Sequence, residues 1–268
     1  MSILERNAVR VTGHGPVTMI FAHGFGCDQN MWRFLAPRFQ DRYRVVLFDH
    51  TGSGRSDLSA YDPARYATLD AYAEDLLAIL DAVEARETIV VGHSVSAMIG
   101  LLATIRRPRQ FLAQLMVGPS PCYLNDGDYQ GGFSRADIEE LLATMDSNYL
   151  GWSSAMAPTI MGSPEQPELA EELTNSFCRT DPAIARQFAE VTFLSDLRPQ
   201  LPQSTVPALI LQCSDDLIAP RSVGDYMHAV LPDSELAIID NVGHCPHLSA
   251  PHASVAAMER FLRARRLE

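Results

Sequence analysis

Short runs of β-branched and other apolar residues recur along the chain at wide intervals: Val17 to Ala22, Tyr43 to Phe48, Thr88 to Val91, Ala113 to Val117, Ala208 to Gln212 and Leu236 to Ile239. None keeps a strict apolar and polar alternation, and runs that apolar predict strands buried on both faces, as in a parallel sheet covered by crossover helices. The segments between them supply those helices. Asn30 to Phe39, Leu69 to Val83 and Ser94 to Arg107 carry apolar residues three and four positions apart, and further helices are expected around Ser222 to Leu231 and Ser254 to Arg265. The resulting order predicts an α/β protein with a mostly parallel, doubly wound sheet.

Residues 120–195 break the alternation. They contain helical stretches at Arg135 to Tyr149, Pro167 to Cys178 and Pro182 to Phe193, and no convincing strand. The expectation is a core domain made of residues 1–119 and 196–268, with 120–195 as a helical lid inserted after the strand that ends at Val117. Ligands of open α/β sheets bind at the carboxyl ends of the strands, so a lid at that point covers the site.

Composition narrows the classes of partner. The 268 residues are 47% apolar, and 33 acidic against 21 basic residues leave a formal charge of −12. Such a surface repels phosphate backbones and anionic lipid, which argues against nucleic acid and membrane as partners. No run approaches eighteen uninterrupted apolar residues, and the opening Met1 to Arg6 has no secretory pattern, so a cytoplasmic location is expected. The five cysteines, Cys27, Cys122, Cys178, Cys213 and Cys245, are odd in number and scattered, as reduced thiols are. His244, Cys245 and His247 lie together but lack a second ligand pair at metal spacing, so neither metal nor other cofactor is expected. Asp49 to Ser56 is rich in glycine and serine, yet lacks the glycine spacing and lysine of a phosphate loop, and reads as a tight turn.

The chemistry concentrates in three places. In Gly92-His-Ser-Val-Ser96 a serine, Ser94, follows a strand and opens a helix, with small residues two before and two after it. A sharp strand-to-helix elbow needs that spacing, because strand and helix approach closely there; Ser96 stands where glycine is usual. Upstream, Ala22-His-Gly-Phe-Gly26 follows a strand and can free main-chain amides for a developing oxyanion; Phe25 and Val95 are the expected donors, and His23 reads as a structural histidine. Downstream, one strand ends in the adjacent Asp215 and Asp216, and the next is followed by Gly243-His244. The chain order Ser, Asp, His is that of α/β-hydrolases. Ser94 is then the nucleophile, His244 the general base, and Asp216, four residues before Pro220, the carboxylate that orients the base, with Asp215 as the alternative. The serine nucleophile argues against haloalkane dehalogenases and dienelactone hydrolases, which place aspartate and cysteine there.

Within that fold the chain resembles the branch holding the RsbQ-type bacterial stress regulators and the plant karrikin and strigolactone receptors. The resemblance rests on His23-Gly-Phe-Gly26, Gly92-His-Ser-Val-Ser-Ala-Met-Ile-Gly100, Tyr129-Gln-Gly-Gly-Phe133 and Gly243-His-Cys-Pro-His247. It implies a four-helix lid over an apolar pocket for a small hydrophobic ligand, with Phe25, Phe133, Trp152, Met156, Phe177, Phe193, Leu217 and Ile218 as candidates for its wall. It also implies hydrolysis of a small ester, lactone or butenolide through an acyl-enzyme, and a signalling role with a partner of the protein phosphatase 2C type. The competing expectation is a receptor whose slow hydrolysis controls that partner.

Overall fold

The uniformly apolar runs form the centre of one twisted sheet. In the computed structural model, which describes residues 1–267, every residue of β2 (Thr18–Ala22) and of β4 (Thr88–His93) is buried. The other strands are β1 (Arg10–Thr12), β3 (Arg44–Leu47), β5 (Phe111–Val117), β6 (Ala208–Asp215) and β7 (Ser234–Val242). They are arranged in the order β1-β3-β2-β4-β5-β6-β7. All neighbours are parallel except β1, which runs antiparallel to β3 at the edge. β1 escapes the sequence reading because it is three residues long and largely exposed.

Side chains alternate across a strand, so each one feeds two separate cores. On one face Ile20, Val90, Met116 and Ile210 pack against α2 (Leu69–Ala82), α3 (Val95–Arg106) and α8 (Arg221–Val230). On the other, Met19, Phe21, Ile89, Val91 and Leu211 meet Trp32, Phe39 and α10 (Pro251–Ala264). Two short helices complete the core: α1 (Ile3–Arg6) at the amino terminus and α9 (Pro246–Ser249) before α10. The helix expected over Asn30 to Phe39 is instead two 3-10 turns, Gln29–Trp32 and Ala36–Phe39. Pro37, with no amide to donate, stops a continuous helix there, while Trp32 and Phe39 still reach the core.

Four helices are inserted between β5 and β6: α4 (Arg135–Ser147), α5 (Tyr149–Met161), α6 (Pro167–Arg179) and α7 (Pro182–Leu194). Asn148 divides the stretch read as one helix ending at Tyr149. Its backbone closes α4, and its side chain accepts from the Gly151 amide at 3.0 Å to open α5. α5 escapes periodicity because Pro158 lies inside it and few polar residues mark an outer face. The inner faces of the four helices join Cys27, Met31, Tyr123, Ile218 and Leu248 in a third apolar cluster above the sheet.

Candidate active site

Ser94 sits between β4 and α3 with φ 56° and ψ −124°, a backbone conformation that L-residues rarely hold. A methyl group on Gly92 would lie 2.4 Å from the Ser96 carbonyl oxygen, so the residue two before the serine has to be glycine. Ser96 has room for its side chain and uses it: the hydroxyl donates to the His23 carbonyl and meets His50 Nε2 at 2.7 Å. Because the hydroxyl proton is committed to His23, His50 Nε2 must be the donor in that contact. His23 in turn accepts the His50 amide on Nε2, which leaves its Nδ1 to donate to the Gly24 carbonyl. The residue that departs from the usual elbow therefore ties the elbow to the loop holding Phe25.

His244 follows β7 and turns its ring toward Ser94. Nε2 lies 2.8 Å from Ser94 Oγ and Nδ1 lies 2.7 Å from Asp216 Oδ2. Asp216 Oδ1 accepts the Ile218 and Ala219 amides at 2.9 and 3.1 Å, so every contact of the carboxylate fixes its direction. Asp215 is exposed and ends β6, where its carbonyl accepts the Gly243 amide. Geometry thus distinguishes the two aspartates. The main chain of His244 is held as well, its amide by the Ile160 carbonyl at 2.8 Å and its carbonyl by His93 Nε2 at 2.9 Å. Ser94, His244 and Asp216 are all buried.

Among the described residues, neither the Phe25 nor the Val95 amide meets a protein acceptor. Val95 is the first residue of α3, where amides have no partner within the helix. Phe25 precedes Gly26, which holds φ +69°; a methyl group there would lie 1.9 Å from the Phe177 ring. A residue the sequence reading missed joins this group: the buried Tyr123 places its hydroxyl 3.2 Å from Ser94 Oγ. Burial pushes its phenol pKa far up, so it stays protonated. Nothing in the local sequence marks it, because it lies in the irregular chain between β5 and the helical insertion.

The cavity above Ser94 has a volume of about 30 Å³. Phe25, Trp152, Met156, Phe177, Phe193 and Ile218 line it, joined by Tyr123, Leu141, Ile160, Leu173 and Thr192. The Phe25 ring centroid is 6.1, 5.8 and 6.3 Å from those of Trp152, Phe177 and Phe193. Two of the expected wall residues stand elsewhere. Phe133 packs behind the wall against Phe193, centroids 6.0 Å apart. Leu217 is 66% exposed, because the turn capped by Asp216 directs Asp216 and Ile218 inward and the residue between them outward. A larger cleft of about 880 Å³, between α1, Asp28 to Asn30 and the end of α6, touches none of Ser94, His244 and Asp216. For metal binding, His93 rather than His244 joins Cys245 and His247: donor atoms of the three lie within 4.8 Å of one another.

Comparison with known proteins places this geometry among relatives. A family model described as "Alpha/beta hydrolase family" matches residues 19–258. The chain is 39% identical over 259 residues to the karrikin insensitive 2 receptor CA of Petunia hybrida, covering 96% of each. It is 41% identical over 251 residues to the strigolactone esterase RMS3 of Pisum sativum, covering 93% of this chain and 94% of that one. Among solved structures, a hydrolase from Oleispira antarctica superposes with a TM-score of 0.95 at 42% identity, covering 97% of this chain and 96% of the other. Among the described residues, no helix is long and apolar enough to cross a membrane.

Proposed function

Because the chain belongs to the alpha/beta hydrolase family, we propose that it is a serine esterase that cleaves a small hydrophobic ester, lactone or butenolide through an acyl-enzyme. The unbroken hydrogen-bond chain from Asp216 through His244 to Ser94 carries this reading. His244 Nε2 takes the Ser94 proton as Oγ attacks the carbonyl carbon, then returns it to the leaving oxygen. Asp216 holds Nδ1–H and stabilises the imidazolium that forms. The free Phe25 and Val95 amides receive the developing oxyanion, an interaction worth about a hundredfold to a thousandfold per donor. Water then repeats the sequence on the acyl-enzyme. Residues 120–195 act as the lid, and the nearly all-apolar lining favours an uncharged ligand. A fluorophosphonate probe is expected to label the wild type and to spare Ser94→Ala; equal labelling of both refutes the reading.

A second reading has its own support. A cavity of about 30 Å³ admits little more than a water, so an organic ligand needs the surrounding walls to move. Relatives bear the names of a karrikin receptor and a strigolactone esterase. Slow hydrolysis coupled to lid movement would make the molecule a cytoplasmic receptor, and the RsbQ-like features point to stress signalling through a phosphatase of the 2C type. A pull-down with and without ligand tests this; fast multiple turnover of a simple ester with no captured phosphatase rejects it.

A further inference from the structure

Behind the His244 ring lies a group of side chains that hydrolysis does not use. His93 ends β4, Cys245 follows His244, and His247 lies in α9; all three are buried. One donor atom from each lies within 4.8 Å of the other two. His93 donates through Nε2 to the His244 carbonyl, which leaves Nδ1 as a lone pair, and Nδ1 has no partner among the described residues. Neither ring nitrogen of His247 has one either. Two buried imidazoles with unpartnered nitrogens, each with one donor atom near the Cys245 thiol, are more than packing alone requires.

We propose that His93, Cys245 and His247 form a binding site for a soft monovalent cation, copper(I). A thiolate with two imidazoles is the donor set that soft metals select. Donor softness decides among them: copper(I) takes one thiolate and two imidazoles as a three-coordinate set, whereas hard divalent ions prefer oxygen ligands. Zinc would also want a fourth ligand in its tetrahedron. With bonds of about 2.0 Å to nitrogen and 2.3 Å to sulfur, three donors in a plane stand about 3.5–3.7 Å apart. The group must therefore contract by about 1 Å on binding.

Uptake at the Cys245 thiol is an exchange. The S–H bond breaks, a bond from Sγ to copper forms, and the proton leaves to solvent; copper stays monovalent and no electron moves. His93 and Cys245 line the same cavity as Ser94, with His247 behind them. His93 adjoins Ser94 in the chain and holds the His244 main chain, with ring centroids 5.0 Å apart. Contraction around copper pulls on both, so an occupied site suppresses reactivity at Ser94. This last consequence rests on the esterase reading; binding does not.

The test uses the full chain carrying Cys178→Ser, because Cys178 is the exposed thiol. Titrated without oxygen against bicinchoninate-bound copper(I), it is expected to withdraw one copper per chain and develop a thiolate-to-copper charge-transfer band. Cys245→Ala and His247→Phe, added separately and checked by cooperative melting, should each weaken binding more than about a hundredfold, beyond what losing a supporting partner costs. The site is overturned if the Cys178→Ser protein withdraws no copper, or if either folded variant binds as tightly as its parent; should one variant fail to fold, the other decides between the two outcomes. Fluorophosphonate labelling is read separately. Full labelling at saturating copper overturns the coupling to Ser94, while absence of labelling in metal-free protein overturns the esterase reading and leaves the copper site standing.

Discussion

Ser94, His244 and Asp216 at the strand ends of the cavity, and Trp152, Phe177, Thr192 and Phe193 on its helical wall, are all buried, yet their polar atoms are held differently. On the first, both oxygens of Asp216, both ring nitrogens of His244 and the Ser94 hydroxyl all have partners. On the second, Trp152 Nε1 and Thr192 Oγ1 have none among the described residues, and position is set by ring contacts such as Trp152 on Phe177, centroids 5.2 Å apart. Hydrogen bonds are directional, so the first wall is held to the tolerance that proton transfer needs. Apolar packing constrains volume more than direction, so the second can yield to a ligand and still exclude water.

The sharpest way to break this contrast is to disturb one hydrogen bond of the strand-end wall. Asp216→Asn keeps the shape of the side chain but favours the wrong His244 tautomer, and ester turnover is expected to fall about ten-thousandfold. Asp215→Asn, on the exposed neighbour, should leave turnover near wild type. A similar loss from both would refute the assignment. On the helical wall the largest effect should be on stability: Phe177→Ala empties a fully buried site and is expected to cost about 3–5 kcal/mol in denaturant unfolding. A cost below about 1 kcal/mol would mean that the helices collapse onto the gap.

Acid should act through the core beneath the strand-end wall. Burial lowers the pKa values of His50, His93 and His247 in the folded state. Their unfolded counterparts titrate near 6.5, so the unfolded chain binds more protons as pH falls through that value. Each histidine then withdraws about 1.4 kcal/mol of stability per pH unit until its folded pKa is reached, which for His247 is about 3. Unfolding followed from pH 7.5 to 4.5 should show the loss beginning below about 6.5, and replacing His247 by Phe should reduce the slope by one proton. The smallest effect expected is that of Tyr123→Phe. Removing one hydroxyl beside Ser94 Oγ while keeping the ring should lower kcat less than tenfold, since a neutral hydrogen bond is worth about 1 kcal/mol. A larger drop with unchanged KM would move Tyr123 from positioning into the reaction itself.

The parts of the fold that follow from short-range properties are legible in the sequence. The apolar runs at Val17 to Ala22, Thr88 to Val91 and Ala208 to Gln212 become central strands because strands covered on both faces leave little room for polar residues. The elbow is equally visible, since close approach of β4 and α3 makes a physical demand on Gly92 that any side chain would violate. The helix boundary at Asn148 and the 3-10 turns before Phe39 are not, because a cap and a proline act over a single turn and periodicity averages over several.

What the sequence determined by itself was the parallel sheet, the place of the helical insertion and the order of serine, aspartate and histidine, all carried by residue type and spacing along the chain. Tertiary structure decided which aspartate faces His244, that Tyr123 reaches Ser94, that Leu217 turns to solvent, and that His93 rather than His244 stands with Cys245 and His247. The reason is distance along the chain. His244 meets Ser94 across 150 residues and His93 across 151, and which atoms meet depends on strand register and on the direction each turn imposes on its side chains. Those are properties of the assembled sheet, and no local window of sequence contains them.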